Sequence, residues 1–151
     1  MGIATLVAAI AIAGTVTISD GDNYNIEEYL KPDTKTVIIM KDLGGDIYRF
    51  ERNAAILRAR EIQVRIAGQC ISACMFYMRL PNACAIKGGE LWTHTPSLPN
   101  YGPAERRRIE AIARKYFTPS VMKVINQNGG IWRLGRDNYL KMKALDHLKA
   151  C

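Results

Sequence analysis

TVIIMKDLGG, residues 36–45, decides how this chain folds. Its first half, Thr36 to Met40, is an unbroken β-branched and apolar run. A run that continuous suits a strand buried on both faces, as strands of parallel sheets are. Its second half ends on a glycine pair directly after the strand. Parallel strands cannot be joined by a tight turn; they need a crossover, usually helical and right-handed. The next residues supply one. Within Asp46 to Arg60, apolar Ile47, Phe50, Ala54 and Leu57 recur three or four apart, which is the helical period.

The same alternation extends in both directions. Upstream, Gly14 to Ser19 is β-branched and reads as a strand, Asp20 to Asn23 as a turn, and Ile26 to Leu30 as a short helix stopped before Pro32. Downstream, Ile62, Val64 and Ile66 alternate with Gln63 and Arg65, a strand pattern. Gly68 to Cys70 is expected to turn the chain. Ser72 then opens a helix in ISACMFYMRL (71–80), which Pro81 ends. Cys84 to Ile86 and Leu91 to Thr93 read as short strands around Gly88-Gly89. After the proline-rich loop TPSLPNYGP (95–103), an amphipathic helix runs from about Pro103 to Phe117. Ile109, Ile112, Ala113 and Tyr116 share one face, which should meet the core or a neighbouring subunit. Thr118-Pro119 marks an N-cap with proline at the first helical position, and the helix it starts should stop at Asn128-Gly129-Gly130. Trp132 to Cys151 reads as helical or mixed. The order β-α-β-α-β-α-β followed by helices predicts an α/β domain with a mostly parallel sheet.

Composition narrows the function classes. The 151 residues suit one domain, and 48% hydrophobic with 23% charged content excludes a disordered chain. The net charge of +7 raises nucleic acid as a partner. The basic residues are scattered, though, and the densest group, Arg106 to Arg108, lies on a helix without an aromatic platform. No specific nucleic acid is therefore expected. Met1 to Ala13 is uncharged and contains the A-x-A pattern Ala11-Ile12-Ala13. It resembles a secretory signal peptide, without the usual positive residues before it. Residues 1–13 form that apolar segment and 14–151 the single domain. Export to a periplasmic or secreted location is expected if the segment is a signal, and a cytoplasmic location otherwise. Cys70, Cys74, Cys84 and Cys151 allow three full pairings, and a bridge from Cys70 or Cys74 to Cys84 could pin the turn. Without a paired CxxC or a nearby histidine ligand, no metal is expected.

In an open parallel sheet, reactive groups lie at the carboxyl ends of the strands. Gly44-Gly45, Gln69 to Ser72 and Trp92 to Pro96 converge there. Ser72 between two cysteines could be a helix cap, a packing residue or a nucleophile. A nucleophilic serine needs a base, and His94 ends a strand-like run. An oxyanion needs backbone N–H donors, which a helix start after Ser72 and a bare glycine pair can offer.

VIIMKDLGGDIY (37–48), VRIAGQCISACMFY (64–77) and LPNACAIKGGELWTHTP (80–96) resemble segments of the Clp protease proteolytic subunit and its relatives in the ClpP/crotonase superfamily. They are similar to the family's strand-Gly-Gly-helix segment, nucleophile turn and base-bearing strand. The resemblance implies a spiral of ββα units and a serine peptidase. Ser72 would be the nucleophile, His94 the base, and the N–H groups of Gly45 and Ala73 the oxyanion donors. It further implies a peptide or protein substrate, a homo-oligomer and no cofactor. No ATP-binding motif occurs, so an unfoldase or membrane partner would be a separate protein. The family's glycine pair usually follows Ser-Pro, but here it follows Asp42-Leu43. Its catalytic acid falls nearest Asp137, with Asp146 as runner-up, whereas the ungapped match puts Leu134 or Gly135 there. A non-catalytic interaction or assembly protein is the alternative function. Crotonase-type acyl-CoA chemistry is a weaker one, because such enzymes usually rely on carboxylates.

Overall fold

The computed structural model describes residues 13–97 and 102–151; the expected leader, up to residue 12, lies outside the described residues. A six-stranded sheet forms the centre. Its strands are β1 (Thr15–Ile18), β2 (Thr36–Asp42), β3 (Gln63–Ile71), β4 (Cys84–Ala85), β5 (Glu90–Thr93) and β6 (Leu140–Lys143). The order is β1-β2-β3-β5-β6, with β4 also on β3. All pairings are parallel except β5 with β6. The fold is therefore mixed α/β with a mostly parallel sheet. The longer helices are α1 (Ile47–Ala59), α2 (Pro103–Tyr116) and α3 (Pro119–Gln127). Among the described residues no helix is long and apolar enough to cross a membrane.

Burial of β2 is more one-sided than its composition implies. Val37 and Ile39 are fully buried, Thr36 and Ile38 half-buried, and Met40 exposed. Val37 and Ile39 join Ile18, Val64 and Ile66 in the core under Phe50, Ala54 and Leu57 of α1. The opposite face is only partly covered.

One expected turn is absent, for a physical reason. The chain does not turn at Gly68; β3 continues to Ile71. Gly68 instead lets two strands approach closely, because a Cβ there would collide with the Met40 carbonyl, and the β2–β3 register shifts at this point. The segment Ser72–Arg79 is a 3₁₀-helix rather than an α-helix. Beyond Trp132 the chain is mixed, one of the two expected alternatives: the antiparallel strand β6 lies between short 3₁₀ turns.

Of the three possible pairings the structure has Cys70–Cys74 and Cys84–Cys151, so the Ser72 turn is bridged within itself and not to Cys84. The first brackets Ser72 within its own turn. The second ties β4 to the last residue, where Cys151 N–H also bonds the Ala85 carbonyl. The apolar stripe of α2 is spent on the domain itself: Ile109, Ala113 and Tyr116 are buried. Arg106, Arg107 and Arg108 are exposed, with Arg106 over the Trp132 ring and Arg108 over Tyr48.

Candidate active site

Parallel pairing puts the ends of β2, β3 and β5 at one edge. Asp42 pairs with Cys70, and Ile71 with Trp92. Gly44, Ser72 and His94 therefore leave adjacent strands at nearly the same height. They border one cavity of about 400 Å³, whose lining includes Gly45, Ser72, Ala73 and His94. Phe76, Ile109, Ile112, Phe117 and Ile131 make its other walls largely apolar.

Ser72 sits at a strand-to-helix elbow with φ of +57°, a left-handed conformation that few non-glycine residues adopt. Such a conformation costs of order 1–3 kcal/mol and persists only where neighbours over-determine it. Two neighbours do so. The Cys70–Cys74 bridge closes around the residue, with its Cα atoms 5.3 Å apart. Gly44 packs directly beneath, where a Cβ would lie 2.5 Å from the Ile71 carbonyl oxygen and 2.8 Å from Ala73 N. The serine is not a helix cap: Ile71 occupies that position and no side-chain capping bond is made. No buried side-chain oxygen or nitrogen lacks a partner among the described residues, so the Ser72 hydroxyl, which makes no hydrogen bond, reaches solvent.

The glycine turn offers one donor. From Leu43 to Asp46, three of four backbone N–H groups are engaged. Leu43 N–H donates to Gly21 O, Gly44 N–H to Asp42 Oδ1 at 2.8 Å, and Asp46 N–H to Asn23 Oδ1 at 2.9 Å. Among the described residues Gly45 N–H has no partner, and it borders the cavity. Its orientation is fixed by the other end of its peptide unit, since Gly44 O accepts from Asn23 N–H at 2.7 Å. In a trans peptide the C=O and N–H point opposite ways, so Gly45 N–H points away from Asn23.

Beneath this turn lies a polar network. Asp42 is fully buried, and its Oδ2 accepts from the Tyr24 hydroxyl. Tyr24 and Tyr77 hydroxyls lie 3.0 Å apart, and Asn53 Nδ2 donates to Tyr77 at 3.2 Å. Burial pushes the Asp42 carboxyl up to about 6, against the lowering effect of its two donors. Burial also raises the phenols of Tyr24 and Tyr77, which stay neutral donors. In the sequence Asp42 stood out only as a departure from the family's Ser-Pro, and this role was missed. An Asp two residues before a glycine is the signature of an Asx-turn and was the available signal.

His94 does not hydrogen-bond Ser72, although both line the cavity. Its Nδ1 lies 2.7 Å from the Thr95 carbonyl oxygen. A carbonyl only accepts, so this contact requires a proton on Nδ1, and in the neutral ring Nε2 then carries the lone pair. Thr95 is itself fixed: its hydroxyl donates to Ile131 O and accepts from Gly135 N–H, while its own N–H bonds Gly135 O. The Tyr139 ring packs edge-on against the imidazole at 5.2 Å. Asp137 is exposed in the bend before β6, and no hydrogen bond or ion pair joins it to His94. Asp146 lies beside His147 instead. The one serine–histidine hydrogen bond among the described residues is Ser120 to His147 Nδ1, 2.8 Å, on an exposed helix start away from the cavity. No cluster of three potential metal ligands occurs among the described residues.

No protein-family model matches this chain, and no curated protein matches it significantly. The functional reading therefore rests on the residues and geometry above.

Proposed function

We propose that this chain is a serine hydrolase of ClpP-like architecture, a spiral of ββα units, acting on peptide bonds. The observation that carries this reading is the shared cavity. A strained, solvent-accessible Ser72 hydroxyl, an imidazole with a free ring nitrogen and the unpaired Gly45 N–H all border it. Ser72 Oγ attacks the carbonyl carbon while its proton passes to His94 Nε2. The carbonyl oxygen becomes an oxyanion held by the N–H groups of Gly45 and Ala73. The tetrahedral intermediate expels the amine, which takes the proton from Nε2, leaving an acyl-serine. Water, deprotonated by the same nitrogen, then releases the acid and restores the hydroxyl. The Thr95 carbonyl does the orienting that an acid does elsewhere, but without its negative charge to stabilise imidazolium. His94 must close on Ser72 when substrate fills the cavity; such contacts are often long without one.

The apolar walls suit a flexible peptide carrying an apolar side chain. Self-assembly belongs to the same proposal, as does a separate partner for any folded substrate. Two disulfides fit a non-reducing, exported setting. The test is covalent labelling with a fluorophosphonate. The folded protein should be labelled at Ser72, and Ser72→Ala or His94→Ala should abolish it. Absence of labelling in folded protein, or labelling that survives Ser72→Ala, defeats the proposal.

A second reading is a non-catalytic interaction protein that retains the fold. It is favoured by the missing Ser72–His94 hydrogen bond and by a carbonyl, not a carboxylate, at Nδ1. It requires that Ser72→Ala leave every measurable property unchanged.

A further inference from the structure

We infer that Asp42 is a positioning residue that braces the glycine turn, holding the Leu43–Gly44 peptide beside the Gly45 N–H that borders the cavity. This rests on the hydrolase reading of the same site.

A glycine pair places little restraint on its own backbone, because both residues tolerate positive φ. Here φ is +76° at Gly44 and +154° at Gly45. A peptide between two glycines can rotate end for end at a lower backbone cost than one between residues with side chains. Rotation would turn the Gly44 carbonyl toward the cavity in place of the Gly45 N–H. A donor for a developing oxyanion would become a dipole that repels it. Something must select one orientation, and the contacts identify it.

Asn23 holds that peptide from outside, through its N–H on Gly44 O, and the following one through its side chain on Asp46 N–H. Asp42 holds the preceding Leu43–Gly44 peptide from inside, through Oδ1 on Gly44 N–H. The inner clamp is the anchored one. Its second oxygen accepts from Tyr24, and Tyr24 meets Tyr77, a residue of the same 3₁₀-helix that Ser72 opens. Asn53 of α1 donates to Tyr77 and to the Tyr24 carbonyl, and its Oδ1 accepts from Ile26 N–H. A chain of buried hydrogen bonds thus runs from the glycine turn to the nucleophile's own helix. It fixes the donor and the nucleophile relative to each other. Burying a carboxyl is unfavourable, and packing alone would be served better by an apolar side chain at 42. A group that accepts on both oxygens is what the geometry uses.

The experiment compares wild type with Asp42→Ala, Asp42→Leu and Asp42→Asn, disulfides intact, by the inactivation rate constant and the inhibitor affinity of an alkyl fluorophosphonate, per folded molecule. Asp42→Ala and Asp42→Leu leave Gly44 N–H without its acceptor. Each should slow Ser72 labelling roughly 100-fold, the loss expected for one oxyanion donor, with affinity unchanged. Asp42→Asn keeps an oxygen for Gly44 and should restore the rate to within a few-fold. A purely structural role would lower stability while folded Asp42→Ala labels at the wild-type rate, and that result overturns the inference. Leu imitates the branched shape and serves if Ala does not fold. Failure of both to fold makes the carboxyl a requirement of folding and likewise overturns it. A wild-type chain that never labels overturns the hydrolase reading and takes this one with it.

Discussion

Substituting Gly44 by alanine tests a tight backbone contact in the proposed site. The residue has φ of +76°, and a Cβ would meet Ile71 O at 2.5 Å, Ala73 N at 2.8 Å and Ser72 Cβ at 3.1 Å. Two costs add. A left-handed conformation costs an L-residue roughly 1–2 kcal/mol. Forcing a methyl into a filled space costs about 1–3 kcal/mol more. All three collision partners are backbone atoms or a Cβ, so no flexible side-chain end can move aside. The expected loss is about 2–5 kcal/mol, which a domain of ordinary stability survives. Gly88 is the control, with φ of +95° but nothing within 4 Å of its Cβ. Gly88→Ala carries the backbone cost alone, roughly 1–2 kcal/mol. Urea unfolding at constant m-value would give both numbers, and their difference isolates the collision. Labelling of folded Gly44→Ala should also fall, by something like 100-fold if Ser72 and Ala73 shift by about 1 Å. Gly88→Ala should label at the wild-type rate. A Gly44→Ala protein no less stable than Gly88→Ala, with Ser72 labelling unchanged, refutes the account of the elbow.

Other consequences can be measured on the same protein. The Cys84–Cys151 bridge spans a sequence separation of 67, against 4 for Cys70–Cys74. Chain-entropy arithmetic gives about 4 and about 2 kcal/mol respectively. In urea unfolding, Cys84→Ser/Cys151→Ser should be the larger loss, whereas Cys70→Ser/Cys74→Ser should be the larger loss in Ser72 labelling. Asp42 is protonated more readily folded than unfolded, since burial lifts it from 3.8 to about 6. Its contribution is thus fully present below about pH 4 and is lost as pH rises through 6, by roughly 3 kcal/mol. Stability of wild type should fall over that window relative to Asp42→Asn, and parallel pH curves for the two would contradict the burial argument. Asp137 is exposed and does not touch His94, so Asp137→Asn should change the labelling rate by less than about threefold. A loss of 100-fold or more would return the acid to that position.

The framework was legible where the chain's own periodicity carries the information. TVIIM and QVRIA follow strand patterns, and α1, α2 and α3 start and stop within a residue or two of their signals. β6 was not legible. LKMK carries no β-branched residue and alternates lysine with apolar side chains, which suits the end of a helix equally well; only pairing with distant β5 makes it a strand. Disulfide pairing was illegible for a related reason. Cys151 meets Cys84 because its own backbone bonds Ala85, a contact made across 66 residues.

The site shows the same division more sharply. Ser72, His94 and the glycine pair are each weak signals, and 22 residues between serine and histidine say nothing by themselves about proximity. The parallel register of Ile71 with Trp92 turns that interval into adjacency. A missing carboxylate is equally a matter of register. The loop before β6 meets Thr95 through the backbone of Gly135, which accepts from its N–H and donates to its hydroxyl. With that contact made by main chain, Asp137 two residues later is left in solvent. Thr95, stitched to Ile131 and Gly135, presents its carbonyl to His94 Nδ1. The arrangement keeps the tautomer that a base needs and omits the negative charge that would lower the cost of protonating it. A hydrolase built this way should acylate slowly and depend heavily on its oxyanion donors, which is why the glycine turn and its buried Asp42 brace matter more here than a third catalytic side chain.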